Sequence, residues 1–323
     1  MFLRSIHYLR AVAAFSVVVY HVVAPMTPDP PCVLVAGVDV FFVISGFVMA
    51  QICRGDFSPG AFLLRRAVRI YPVYWAACVV TLLILPIGQG DTSIIRDLLL
   101  LPEQTDVGGF IYFDPFVWQG WTLAYEMIFY VLFALCMGRI RIVSIALFGL
   151  AGMSAIWPSA WTNPMILEFV FGMAIASVSR ETLARFAVPA LVAGVCGLLL
   201  SWDLETTRFQ ERVFVLGIPA ALIVFGMVGL ERRMPHVPAF HFLGSASYSI
   251  YLFHYVGIYA FYWSPPLALV AAIGAGCAAH ILIERPLLTL LTPARRGAAL
   301  DAVRASAARR GERAMLPSGA MIK

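Results

Sequence analysis

The sequence predicts an all-α fold, a polytopic bundle of about ten transmembrane helices with both termini in the cytoplasm, and three observations predict it. The 323 residues are 61% apolar and only 13% charged, outside the range of soluble domains. Ten apolar stretches are long enough, or nearly so, to span a bilayer, at about 8–26, 33–52, 71–87, 118–138, 140–157, 163–179, 186–202, 213–230, 243–263 and 266–284. Basic residues crowd into alternate loops: of 23 lysines and arginines only Arg96, Arg208 and Arg212 fall on one side, which makes the other side cytoplasmic. Lipid offers backbone groups no water, and the runs are too long and unalternating for barrel strands, so helices are expected. The net charge of +5 follows from the loop bias and gives no reason to expect nucleic acid as a partner.

The first stretch carries Arg10 and His21 and lacks a convincing small-residue cleavage site, so it reads as a retained span. Ionisable groups in a span need a partner, a water-filled cavity or a task. Their separation of eleven residues is about three helical turns with ~20° left over, which puts both on one face, roughly 16 Å apart along the axis. In the second stretch, G-V-D-V-F-F-V-I-S-G-F, Asp39 is expected at the depth of His21, where a carboxylate would orient the ring. Its alternative use is as a helix cap. Ser45 and Gly46 are small enough for close helix contact.

The loop that follows carries F-L-L-R-R-A-V-R-I-Y-P, with Arg65 and Arg69 one turn apart and Arg66 beside them. An amphipathic basic segment suits a membrane surface, and guanidinium forks equally suit a phosphate-bearing ligand. The residues leave both open. The loop 88–117 combines acidic groups (Asp91, Asp97, Glu103, Asp106, Asp114) with aromatics and reads as a solvated loop beside an aromatic belt.

In the fourth stretch Trp118, Thr122, Glu126 and Tyr130 recur every four residues and form one stripe. Glu126 lies about two turns below the outer surface, and an intramembrane carboxylate there is a functional candidate, as is Glu168 on the sixth stretch. Pairing of Glu126 with Arg10 is not expected, because the two fall in opposite leaflets. The fifth to eighth stretches carry mostly Gly, Ala, Val and Leu. In the ninth, Ser247, Tyr251 and His254 share a face, and His254 is either a second catalytic group or a packing histidine. The tenth ends at I-E-R-P, where Glu284 and Arg285 reach the inner face and Pro286 stops the helix. Residues 1–290 thus form the membrane domain, and 291–323 read as a mobile basic tail. The six cysteines are scattered, without metal-like pairing.

Taken in order over nearly the whole chain, the Arg10 to His21 spacing, G-V-D-V-F-F-V-I-S-G-F, R-R-A-V-R-I-Y-P-V-Y-W, W-T-L-A-Y-E-M-I-F-Y and S-Y-S-I-Y-L-F-H resemble the acyltransferase 3 family of integral membrane proteins. Q-G-W-T-L-A-Y-E-M-I-F-Y, together with N-P-M-I-L-E-F-V-F-G-M, is similar to the subgroup that acylates bacterial exopolysaccharides. The resemblance implies a ten-span enzyme of the bacterial cytoplasmic membrane. It would carry an acyl group, acetyl first among candidates, from cytosolic acyl-CoA to a sugar hydroxyl, with no metal. It implies that Arg10 and His21 are essential and that Arg65, Arg66 and Arg69 belong to a functional basic motif; these three, with Tyr71 beside them, are our candidates for holding the donor. Trp121, Tyr125, Glu168, Tyr251 and His254 are then the candidates for contact with a carbohydrate acceptor, free or lipid-linked.

The chemistry of the residues is compatible with this. Attack on a thioester needs a base for the hydroxyl or a nucleophile that holds the acyl group, and histidine can be either. Asp39 or Glu126 would stabilise the imidazolium as in a triad without its serine. The phosphates of coenzyme A would account for cytoplasmic arginines. A glycine-rich nucleotide loop and a G-x-S-x-G elbow are both absent from the sequence. A carrier or flippase for lipid-linked sugars would also use intramembrane Asp, Glu, His and Arg, and a sensor could keep the fold without chemistry. Transfer or hydrolysis of acyl-CoA by purified protein separates the enzyme from both. For the topology, reporters fused after Gln89 and after Arg139 are expected on opposite sides of the membrane; the same side for both would overturn it.

Overall fold

The computed structural model describes residues 3–28, 30–52, 58–84, 94–101, 103–107, 110–115, 117–202 and 211–292. Arg54, Asp91, Arg208 and the tail from residue 293 onward lie outside the described residues. Each of the ten apolar stretches holds a helix. In chain order the helices are α1 (Arg4–Val23), α2 (Ala36–Ile52), α3 (Pro59–Ile84), the short α4 (Ile94–Leu98), α5 (Gly120–Leu135), α6 (Ile140–Gly152), α7 (Leu167–Ser177), α8 (Arg180–Leu200), α9 (Ile218–Gly229), α10 (Pro238–Ala260), α11 (Pro265–Ala279) and α12 (Arg285–Leu291). Among the described residues five helical runs are long and apolar enough to cross a membrane: Arg4–Met26, Cys32–Ile52, Pro59–Ile84, Arg180–Leu200 and Pro265–Leu291.

The structure departs from the sequence-based expectation in three places. The basic segment is not a loop ahead of a span that starts at residue 71: α3 is one continuous helix from Pro59, with Pro72 inside it. Proline in such a helix is tolerated because neighbouring groups re-satisfy the freed backbone, so Arg65, Arg66, Arg69 and Tyr71 ride on the helix that continues as the apolar span. The loop 88–117 is not wholly irregular. It holds an antiparallel pair of β1 (Gln104–Val107) and β2 (Phe110–Phe113), with Gln104 opposite Phe113. Gln104 Oε1 accepts from Ser159 Oγ at 2.8 Å and fastens the hairpin to the entrance of α7. That entrance is the third departure. Two 3-10 turns precede α7, and the side chains of Ser159 and Asn163 accept from the backbone N–H of Trp161 and Met165, satisfying donors that a helix start leaves open.

Helix α1 packs chiefly on α10 and α2, α2 on α7, α10 on α11, and α8 on α9. Phe169 of α7 stacks between Phe129 of α5 (4.2 Å between centroids) and Phe42 of α2 (4.8 Å), which ties three helices into one core. The α2–α7 approach depends on paired glycines. A Cβ on Gly46 would fall 2.0 Å from the Phe169 carbonyl oxygen, and one on Gly172 2.0 Å from that of Val43. A Cβ on Gly149 of α6 would meet nothing within 4 Å. Gly46→Ala is therefore expected to destabilise the protein by about 1–3 kcal/mol, the cost of overpacking, and Gly149→Ala to leave stability unchanged or raise it by about 0.5–1 kcal/mol. Thermal unfolding in detergent checks the pair; equal shifts would refute the close-approach argument.

Candidate active site

Helices α1, α2, α3, α5 and α10 enclose a cavity of about 120 Å³ whose polar lining is Arg10, Ser45, Arg66, Arg69, Thr122, Glu126, Tyr130, Ser247, Tyr248 and Tyr251. Each side chain arrives by helical spacing. Thr122, Glu126 and Tyr130 are the inward stripe of α5, and Ser247, Tyr248 and Tyr251 come from successive turns of α10. Arg10 Nε donates to Ser247 Oγ at 3.1 Å. Glu126 Oε1 accepts from Ser45 Oγ at 3.0 Å and from the Tyr130 hydroxyl. The Arg66 guanidinium lies over the rings of Phe62 and Tyr130, 5.7 Å from each centroid. Glu126 and Arg10 thus line one cavity, contrary to the expectation of opposite leaflets. Depth counted along each helix by itself does not fix how α1 and α5 are set against each other, and here both present these side chains to the same cavity.

At the end of α1 away from Arg10, His21 lies against α10. Its ring centroid is 4.9 Å from that of His254 and 5.1 Å from that of Tyr255. Arg10 and His21 therefore do share a face, the one turned to α10. His21 Nδ1 lies 2.9 Å from the Val17 carbonyl oxygen, and His254 Nδ1 lies 2.7 Å from that of Tyr251. A carbonyl only accepts, so in both neutral rings Nδ1 carries the proton and Nε2 the lone pair. His254 is fully buried, and its Nε2 has no hydrogen-bond partner among the described residues. Tyr251 joins the two regions: its hydroxyl, in the cavity, pairs with Thr122 Oγ1 at 2.9 Å, and its backbone carbonyl holds His254.

Several expected placements are not met. Asp39 does not orient His21. It is fully buried and ion-paired with Arg212 Nη2 at 2.8 Å, because a carboxylate within the bundle takes the nearest cation. Arg212 was legible only as one of three basic residues against the loop bias. Glu126 is likewise committed to Ser45 and Tyr130 rather than to His21. Glu168, fully buried, faces Gly217, where an added Cβ would sit 2.9 Å from its Oε1, and it does not line the cavity. Arg65 is exposed, and the Tyr71 hydroxyl donates to the Leu99 carbonyl at 3.0 Å, so neither reaches the cavity. Trp121 stands edge-on to Tyr125 at 6.0 Å, and Tyr125 is sealed among it, Phe42 and Phe113. Ser45 and Tyr248 are cavity groups that their sequence positions did not single out as such. Among the described residues, no group of three or more His, Cys, Asp or Glu could hold a metal.

The chain was compared with known proteins. The profile of a family described as an acyltransferase domain matches residues 3–285. The exopolysaccharide production protein ExoZ of Rhizobium meliloti (strain 1021) is 35% identical, over 78% of this chain and 89% of its own length. The acyltransferase MdmB of Streptomyces mycarofaciens is 27% identical, over 79% of this chain and 81% of its own. No solved structure matches. With the family profile spanning nearly all of the described helices, this chain belongs to the acyltransferase 3 family of membrane acyltransferases.

Proposed function

We propose that the protein is an O-acyltransferase of the bacterial cytoplasmic membrane. It transfers an acetyl group from cytosolic acetyl-CoA to a hydroxyl of a cell-surface or lipid-linked carbohydrate, with His21 as the base. In this reading residues 1–290 form a ten-span domain with both termini in the cytoplasm, and 291–323 form a cytoplasmic tail. The observation that carries it is the packed imidazole pair: the Val17 carbonyl accepts from Nδ1 of His21, which in the neutral ring leaves Nε2 with the lone pair, and the ring lies 4.9 Å from that of His254. The name of ExoZ supports a polysaccharide acceptor, and that of MdmB supports acyl transfer.

Arg10, Arg66 and Arg69 offer charge-assisted hydrogen bonds to the donor's phosphates. The acceptor hydroxyl gives its proton to His21 Nε2 as its oxygen attacks the thioester carbonyl. The carbon–oxygen bond forms, the carbon–sulfur bond breaks, and coenzyme A leaves as a thiolate that is protonated from the cytosol, while His21 gives the proton it took to solvent and returns to the neutral base. His254 packs on His21 and holds its ring. Transfer is direct, since an acyl-imidazole beside water would hydrolyse. Tyr251 and Thr122, between the cavity and the histidines, contact the reacting groups; Asp39, Glu168 and Tyr125 support the bundle around them.

Two outcomes test the reading. His21→Gln protein that folds and inserts is expected to lose ~10²-fold or more of its transfer rate, the scale of general-base catalysis; near-normal acylation would overturn the role. Arg66→Gln is expected to weaken coenzyme A binding by about tenfold or more, the worth of a charged hydrogen bond, and the exposed Arg65→Gln to leave it nearly unchanged. Calorimetry in detergent checks this, and equal affinities for parent and Arg66→Gln would remove the arginine cavity as the donor site.

A further inference from the structure

Glu284 is a buried carboxylate that the chemistry above does not use. It ends the π-helical turn His280–Glu284, which joins α11 to α12, and it is 1% exposed. Such a turn interrupts an α-helix at some cost and often marks a functional position. Oε2 of Glu284 accepts from Ser249 Oγ on α10 and from His280 Nδ1, each at 2.7 Å. The proton's place on His280 is set from the far side. Arg285 Nε lies 3.1 Å from His280 Nε2, and a guanidinium only donates, so Nε2 carries the lone pair and Nδ1 the proton.

Two donors thus clamp one carboxylate oxygen, and the other faces Arg69 Nη1 at 3.8 Å. At that distance the attraction is a tether rather than a hydrogen bond, so the N–H groups of Arg69 stay available to a ligand. The Tyr248 hydroxyl, next along α10, donates to the Ile70 carbonyl at 2.9 Å and fixes α3 at the residue after Arg69. A flexible arginine loses side-chain entropy when it closes on an anion; one already held by a fixed carboxylate has lost it beforehand.

We infer that Glu284, clamped by Ser249 and His280, is a positioning residue that aims Arg69 into the cavity for the phosphates of the donor. The inference rests on the donor reading of that cavity. The experiment is a double-mutant cycle in the full chain in detergent, with coenzyme A affinity, donor KM and kcat of acetyl transfer, and thermal unfolding as readouts. Glu284→Gln is expected to weaken coenzyme A binding about fivefold and to raise donor KM with kcat within about twofold; in the Arg69→Gln background it should do nothing more, as for a coupled pair. Should Glu284→Gln not accumulate, Ser249→Ala removes one clamp and keeps the charge. It is expected to cost about two- to threefold in affinity, again only while Arg69 is present. Equal losses in both backgrounds, or kcat and unfolding temperature falling with KM unchanged, would overturn positioning and leave the donor site standing. Unchanged coenzyme A affinity in Arg69→Gln would instead remove the donor reading of Arg69, and this inference with it.

Discussion

A charge placed among apolar helices has to find a partner or a ligand, and the arrangement of this protein follows from how its buried charges meet that demand. Asp39 and Arg212 are ion-paired at 2.8 Å, both buried and with the buried Glu168 carboxyl beside them, and join the start of α2 to the approach to α9. Glu126 is satisfied by hydroxyls of Ser45 and Tyr130. Arg10 finds one hydroxyl, Ser247, and shares its cavity with Arg66 and Arg69. Three guanidiniums and one carboxylate line the cavity, and with the Glu284 carboxylate behind Arg69 counted as well, one positive charge is still to spare. That surplus is what an anionic donor would use, and it distinguishes the cavity from the closed Asp39–Arg212 pair.

Such a region stays in place only if the helices around it are held closely. Gly46 and Gly172 let α2 and α7 meet backbone to backbone, and the Phe42–Phe169–Phe129 stack carries that contact to α5. The stripe of α5 then sits opposite α1 and α10. Packing in lipid gains little from burial alone, so close contact of this kind and hydrogen bonds between helices carry the association.

Much of this was legible in the sequence because helical periodicity is strict. The eleven-residue spacing put Arg10 and His21 on one face, and both face α10. The four-residue recurrence of Thr122, Glu126 and Tyr130 gave three cavity groups. What periodicity cannot give is which faces meet. Asp39 and His21 were expected at one depth, yet Asp39 turns to Arg212 and His21 to His254. The basic run misled in another way: its arginines set it apart as a loop ahead of a span from residue 71, whereas α3 runs unbroken from Pro59 through Pro72. The hairpin had its sign in Gly108-Gly109 between Gln104–Val107 and the aromatic run Phe110–Phe113, a sign that the reading of 88–117 as a solvated loop did not use.

The separation of the two halves of the candidate site has a chemical sense. A base for a hydroxyl must start neutral and end positive, and it does so most easily away from other cations. Arg10 and His21, eleven residues apart on one helix, are roughly 16 Å distant along the axis. Tyr251 links the two halves, with its hydroxyl on Thr122 in the cavity and its backbone carbonyl on His254. Phosphates can therefore be gripped where guanidiniums gather, while the imidazoles of His21 and His254 keep company with tyrosine rings. In the proposed reading, a donor with its charge at one end and its reactive thioester on a long neutral arm fits that division better than a compact anion would, since a compact anion would stop at the arginines and never reach the imidazoles.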